Sequence, residues 1–221
     1  MKKMILLALA LVVLAGVLLR HAPDKHGAQA ITGLPWQIEI LPDGRSRVFG
    51  LTLGTSTLAD ARERFGADME VAVVAAPGEA GSLEAYYSQV TAGVLTGKMI
   101  LTAALDRENV ERMRQRAVKK QRMESSTRKF YLDPDDLAQA YATPIESITF
   151  IPSASFDADI AVSHFGRPAE RVRTSAQVEN LLYPDQGLAL TLDSKGKEVL
   201  QYVAPRQFAR LRDPLFSRAP K

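Results

Sequence analysis

The clearest pattern of hydrophobic and polar positions in the chain lies between residues 157 and 203. Asp157 is typical of a helix N-cap, and the pair Phe165-Gly166 is typical of a helix end. At 188–192 leucines alternate with smaller or polar residues, and a polar turn separates this segment from a second alternating one. The pattern predicts one helix followed by antiparallel strands.

A similar pattern occurs about a hundred positions earlier. Thr57 takes the place of Asp157 as N-cap, and the Phe-Gly pair recurs at 65–66. Each helix is followed by a strand that carries an acidic and an aromatic residue, at 83–87 and at 178–183. The chain is therefore predicted to be an α+β protein with two tandem helix-plus-antiparallel-sheet repeats.

Three further elements are predicted outside the two copies. The turn sequence at 42–44 lies between alternating segments and predicts an opening hairpin. Asp106 begins a helix that is predicted to continue to about Glu124, and Asp133 followed by Pro134 predicts the start of another. The expected organisation is a signal anchor or signal peptide with its flank (1–30), a first repeat with the opening hairpin (31–105), a helical connector (106–145), a second repeat (146–204) and a basic tail (205–221).

The chain begins with two lysines and an uncharged apolar run at 4–19. Sixteen helical residues would span about 24 Å, less than the ~30 Å hydrocarbon core of a bilayer. The run is therefore predicted to be a short signal anchor or a signal peptide. The basic head favours an N-inside orientation, which predicts a single-pass inner-membrane protein with its body in the periplasm. The alternative is secretion to the periplasm after cleavage at Ala30, where Ala-Gln-Ala forms a small-x-small site.

Composition narrows the class of protein. The chain of 221 residues is 46% hydrophobic and 24% charged, which indicates a globular fold. It has no cysteine, which excludes disulfides and thiolate metal sites. The net charge of the chain is +3, and the positive charge is concentrated in a few segments. Residues 106–129, for example, carry nine basic and four acidic side chains. This basic charge lacks interleaved aromatic residues, so no nucleic-acid partner is predicted.

The predicted helix after Asp106 has one narrow apolar stripe, at Val110, Met113, Ala117 and Val118. Four basic residues are predicted to project away from that stripe: Arg112, Arg116, Lys119 and Lys120. One interpretation is a solvated helix lying on the body. The other is a basic face that contacts anionic lipid or an acidic partner protein.

Four tyrosines on predicted strands are candidates for contacts through a sheet face: Tyr86, Tyr87, Tyr183 and Tyr202. They can line a ligand groove or pack inside the sheet. Several aspartates suggest a metal site or a hydrolase, but capping accounts for Asp133 and Asp157 without a ligand. The chain has no nucleophile-elbow, zinc-protease or phosphate-loop motif. No catalytic residue, cofactor or metal is therefore predicted.

The second copy also resembles a known family. The residues that carry the resemblance are the helix end at 165–168, the strand at 179–183, the strand at 187–193 and the turn at Gly196. They resemble the SmpA/OmlA family, which contains the small lipoprotein of the outer-membrane barrel-assembly machinery. The resemblance implies a fold similar to each half of the β-lactamase-inhibitor protein, a tandem repeat of helices on an antiparallel sheet. It is best over 157–203, and this chain has no cysteine to acylate.

The resemblance carries over no catalytic residue, because neither relative is an enzyme through this fold. The apolar head, the duplication and the missing catalytic motifs predict a non-enzymatic, membrane-anchored cell-envelope protein that binds another envelope protein through a sheet surface. An inhibitor or regulator of an extracytoplasmic enzyme is the first alternative. A hydrolase that uses the aspartates is the second.

Overall fold

One large antiparallel sheet dominates this α+β protein. The computed structural model describes residues 32–123 and 126–218, so the predicted anchor at 4–19 and the cleavage site lie outside the described residues. None of the described helices is long and apolar enough to cross a bilayer.

The strands follow the chain in two groups. A small sheet contains β1 (Glu39–Ile40), β2 (Ser46–Val48) and β3 (Leu51–Thr52). The large sheet takes from residues 70–131 the strands β4 (Glu70–Ala75), β5 (Ser82–Ala92), β6 (Leu95–Ala103), β7 (Lys119–Arg122) and β8 (Arg128–Tyr131). From residues 145–203 it takes β9 (Ile145–Pro152), β10 (Glu170–Arg173), β11 (Val178–Tyr183), β12 (Leu188–Asp193) and β13 (Val199–Val203). The order across the ten strands is β10-β11-β12-β13-β9-β6-β5-β4-β8-β7.

Within the described part of the chain, five α-helices accompany the sheets: α1 (Leu58–Phe65), α2 (Arg107–Arg116), α3 (Pro134–Ala142), α4 (Ala158–Phe165) and α5 (Ala209–Arg218). The predicted caps are confirmed at α1 and α4. The Thr57 side chain accepts from the Asp60 amide at 3.2 Å, and Asp157 accepts from the Ile160 amide at 2.7 Å. Gly66 and Gly166 end the two helices with φ of +100° and +82°, values that favour glycine.

The predicted long helix at 106–124 is wrong beyond Arg116. Ala117 adopts a ψ of 128° and leaves the helix, and the Val118 amide then donates to the Tyr131 carbonyl at 3.1 Å. The following residues form β7, which pairs with β8 as a hairpin. The predicted apolar stripe does not extend to Val118, which is 64% exposed, whereas Phe130 of β8 is buried and holds the hairpin on the sheet. The segment 106–145 thus contains two helices with a hairpin between them.

One face of the large sheet, the core face, is buried beneath α1, α2, α3 and α4. Directly opposed residues form a buried row across seven strands: Val71, Ala85, Leu101, Ile148, Tyr202, Leu188 and Tyr183. The helices add Leu58, Val110, Met113, Ala140 and Phe165 to the same cluster. Both halves of the chain therefore share one core.

The opposite face, the outer face, is covered at one end by α5. Leu211 and Leu215 pack with Phe208 against a cluster that contains Leu182 and Ala189. Two bidentate ion pairs hold the helix: Arg210 to Glu146 at 2.8 and 2.9 Å, and Arg212 to Glu170 at 2.9 and 3.0 Å. The predicted basic tail is thus fixed over β10 to β13.

The helices α1 and α4 make similar aromatic contacts. Phe65 lies against Tyr87 and Phe165 lies against Tyr183, each with 5.9 Å between ring centroids. In both cases the tyrosine belongs to the second strand after the helix. The two contacts differ in burial, because Phe165 is 4% exposed whereas Phe65 is only partly buried.

Candidate partner-binding surface

The outer face has a second half that α5 does not reach. A row of directly opposed residues crosses the face from β4 to β10: Glu70, Tyr86, Ile100, Thr149, Gln201, Ala189, Leu182 and Glu170. Leu182 and Ala189 lie under α5, whereas Tyr86 and Ile100 join neither buried cluster of the described chain. We call the half-buried side chains at this end of the face the open patch: Glu84, Tyr86, Ile100, Thr102, Ser147 and Thr149.

Glu84 contributes a carboxylate to the open patch. Burial against the neighbouring strands raises the pKa of Glu84, and a hydrogen bond from Ser82 Oγ at 2.8 Å and the charge of Lys129 partly oppose the shift. Lys129 itself pairs with Glu70 and lies 5.7 Å from the centroid of the Tyr86 ring. The patch therefore combines aliphatic, aromatic and hydroxyl groups with one partly desolvated acid.

Of the two interpretations of the four tyrosines, packing inside the sheet holds for three of them. Tyr87, Tyr183 and Tyr202 are between 1% and 4% exposed and belong to the core face. Only Tyr86 lies in the open patch, because successive side chains of a strand point to opposite faces. Burial raises the pKa of Tyr87 to about 12, and its hydroxyl donates to the carbonyl of Ala61 at 3.1 Å.

The four predicted basic contact residues do not share one helix face. Arg112 and Arg116 belong to α2, whereas Lys119 and Lys120 belong to β7. Arg112 donates to Gln139 Oε1 at 2.6 Å, so it joins α2 to α3. Arg116 pairs with three carboxylates at the start of α3, at distances of 3.4 to 3.6 Å: Asp133, Asp135 and Asp136. These two arginines fasten one helix to another, which leaves the lysines of β7 as candidates for a partner.

Four basic residues lie together at the end of the sheet, on the strands β7 and β8. Lys119, Lys120 and Arg122 belong to β7, and Arg128 belongs to β8. We call these four residues the basic edge. Lys119 lies 4.9 Å from the centroid of the Tyr131 ring, within the range of a cation–π contact. Sequence reasoning missed the arrangement because it assigned these residues to a helix.

Next to the basic edge is an open cavity of about 520 Å³. It is lined by Arg107, Glu111 and Arg114 of α2, by Arg128 and Phe130 of β8, and by the loop at 75–80. Arg114 Nη1 donates to the carbonyl of Glu79 at 2.7 Å, and Arg107 pairs with Glu111 at 2.9 Å. Two of the three arginines are thus engaged within the protein.

Two of the aspartates considered as candidate metal or catalytic groups are helix caps. Asp133 caps α3 and Asp157 caps α4, as the sequence predicted. The ring of His164 stacks on Trp36, with 3.8 Å between centroids and 12° between planes. Within residues 32–123 and 126–218, no group of three His, Asp or Glu side chains is placed to hold a metal ion.

Comparisons of the chain with family models, with curated proteins and with solved structures returned no match. The resemblance of 157–203 to the SmpA/OmlA family therefore stays a prediction.

Proposed function

We propose that this chain is a non-enzymatic cell-envelope protein that binds another envelope protein through the open patch of its sheet. The observation that carries the proposal is that α5 covers only one end of the outer face. The helix α5 shields β10 to β13, whereas Tyr86, Ile100 and Thr149 remain partly accessible. A surface with aromatic and aliphatic groups and a few hydrogen-bonding side chains has the chemistry of a protein interface.

Glu84 determines what kind of partner the open patch would accept. Its carboxylate is partly desolvated and receives one hydrogen bond, from Ser82. A partner that places a cation or a hydrogen-bond donor opposite Glu84 would satisfy this acid, and an acidic group there would be repelled. The proposed partner surface is therefore apolar with at least one basic or amide group.

The proposed architecture is two tandem repeats of the β-lactamase-inhibitor type. Two parallels support it: the Phe-Gly ends of α1 and α4, and the equal ring separations of Phe65–Tyr87 and Phe165–Tyr183. In each half the helix is followed by three consecutive antiparallel strands, β4 to β6 and β10 to β12. The difference in burial between Phe65 and Phe165 marks where the two copies would have diverged.

The proposed location is the inner membrane, with residues 4–19 as a single anchor and the body in the periplasm. A reporter that is active only in the periplasm, fused after Lys221, should be active. A reporter that is active only in the cytoplasm should be inactive, and the reverse pattern would refute the location. A mature protein that begins at Ile31 would instead support the secreted alternative.

The binding proposal is tested by photocrosslinking in intact cells that express the full-length chain. We expect p-benzoylphenylalanine at position 100, in place of Ile100, to give one discrete adduct. The matched control is the same replacement at Val94, which is 67% exposed in the turn between β5 and β6 but lies outside the open patch. The substitution Glu84→Lys should abolish the adduct at position 100, because it reverses the charge in the patch.

An adduct from position 94 with none from position 100 would refute the open patch as the binding surface. An adduct that survives Glu84→Lys would refute the role of the acid. If the captured protein is an enzyme whose activity falls in the complex, the function is inhibition, the first alternative drawn from the sequence.

A further inference from the structure

We propose a second binding surface: β7 accepts an extended acidic segment of another protein as an eleventh strand. This strand is the last of the ten-stranded sheet and pairs on one side only, with β8. Strand addition at such an edge provides main-chain hydrogen bonds, and side chains beside the edge select the partner. The surface is separate from the open patch, so either one can fail without the other.

The register of the hairpin shows which main-chain groups of β7 are free. The Met123 amide donates to the Thr127 carbonyl at 2.8 Å, which makes these two residues a hydrogen-bonded pair. Such pairs alternate with non-hydrogen-bonded pairs along an antiparallel ladder. Lys120 opposite Phe130 and Arg122 opposite Arg128 are consequently non-hydrogen-bonded pairs. The N–H and C=O groups of Lys120 and Arg122 therefore point away from β8, towards the open edge.

The charge at this edge identifies the partner as acidic. Arg122 and Arg128 lie directly opposite each other on the same face, an arrangement in which like charges destabilise a sheet. Residues 117–131 carry five cations and one carboxylate in the sequence. Among the described residues, Lys129 is the one cation of the five that forms an ion pair, with Glu70. A carboxylate placed between Arg122 and Arg128 would relieve their repulsion.

Exposed apolar side chains at both ends of β7 also favour a peptide over a lipid headgroup. Val118 before the strand is 64% exposed and Met123 after it is 40% exposed. Lysines alone would serve to keep an edge strand from pairing. Apolar residues at its ends work against that purpose, and they offer a contact to the side chains of an added strand. The combination fits an extended segment in which acidic and apolar residues alternate.

The test uses the full-length protein in a neutral detergent and a labelled peptide in which Glu and Val alternate. We expect saturable binding by fluorescence anisotropy at low salt, weakened by added salt because exposed charges are screened. Amide exchange of Lys120 and Arg122 should slow when the peptide binds, whereas the amides of Lys119 and Gln121, which already face β8, should change little. Arg122→Gln and Arg128→Gln should each lower the affinity about 2- to 5-fold.

Two substitutions at one position separate strand addition from charge attraction. Lys120→Pro removes an N–H that faces the open edge, so it should leave the hairpin folded but abolish binding. Lys120→Gln removes the same charge and should keep most of the binding. A circular-dichroism melt shows whether each variant is folded, and a Gln121→Pro variant, which loses a bond to β8, marks the effect of a damaged hairpin.

Four results would overturn the proposal. One is the absence of saturable binding up to about 1 mM peptide. Another is equal binding by Lys120→Pro and Lys120→Gln with no protection of the two amides. A third is equal binding of a peptide in which Glu and Pro alternate, which has the same charge but cannot pair as a strand. The last is binding of anionic vesicles, but not of the peptide, through the basic edge.

Discussion

The hydroxyl groups of Tyr87 and Tyr183 allow a sharp test of the energetics of this fold. Both rings are buried against a phenylalanine at the end of a helix. The Tyr87 hydroxyl donates to the carbonyl of Ala61 at 3.1 Å, and the carbonyl oxygen of Gly66 lies 3.3 Å from the same hydroxyl oxygen. The Tyr183 hydroxyl is buried with no hydrogen-bond partner among the described residues. The same substitution, Tyr to Phe, should therefore lower the free energy of unfolding at position 87 but not at position 183.

The magnitudes follow from the cost of hydrogen bonds in a protein interior. Tyr87→Phe removes a bond that contributes about 0.5–1.5 kcal/mol, so we expect a loss of about 1 kcal/mol. Burial of a hydroxyl without a partner costs about 1–3 kcal/mol. Tyr183→Phe removes that cost and should leave the free energy of unfolding unchanged or raise it. At this chain length 1 kcal/mol corresponds to roughly 2–4 °C in Tm.

The assay is urea unfolding of the two variants and the parent protein at about pH 7, followed by circular dichroism. Both tyrosines are neutral there, because burial raises the pKa of Tyr87 to about 12 and that of Tyr183 above its usual value. Equal m-values would show that the variants differ in stability and not in the unfolded state. A loss of 1 kcal/mol or more, by the scale of one hydrogen bond, in Tyr183→Phe would refute the reasoning.

Three further predictions concern the core, the open patch and α5. Phe165→Ala should cost about 3–5 kcal/mol in urea unfolding and Phe65→Ala clearly less, because the second ring is only partly buried; equal losses would contradict this. Burial raises the pKa of Glu84 in the folded state above its usual value of 4.5. The stability of the protein should therefore fall as pH rises from 4.5 through the raised pKa. The stability of Glu84→Gln minus that of the parent protein should therefore be larger at about pH 7 than at about pH 3. A difference that does not change with pH would disprove the role of this carboxyl. Phe208→Ala should cost about 3–5 kcal/mol and speed amide exchange in α5, whereas unchanged exchange would show that the helix is held by its ion pairs alone.

The elements that were predicted correctly are marked by residues at their own ends. The start of α3 is marked by Asp133 and Pro134, and the ends of α1 and α4 by glycines that adopt positive φ. A cap or a positive-φ glycine is determined by residues within one turn of it. The α+β class follows from such signals together with the alternation in the strands.

The errors concern interactions between distant residues. The segment after Arg116 is rich in good helix formers, yet it forms β7 because Phe130 of β8 is buried on the sheet beside β4. Because side chains alternate along a strand, Tyr86 and Tyr87 must lie on opposite faces of the sheet. The sequence does not show which of these two faces the helices cover. The position of β9 between β6 and β13 depends on pairings across the whole chain, which a single sequence does not reveal.

The contacts of β13 with the opening segment bear on the timing of folding during synthesis. The Tyr202 hydroxyl donates to the Pro35 carbonyl at 3.1 Å, and the Ser46 hydroxyl donates to the Val203 carbonyl at 3.3 Å. The opening segment and the small sheet thus close onto a strand that the ribosome makes 157 to 167 residues later. The first half of the protein would therefore wait, with apolar surface exposed, until residues near 203 emerge. Until then this apolar surface is available to other chains, so folding of the first half is slow compared with its synthesis.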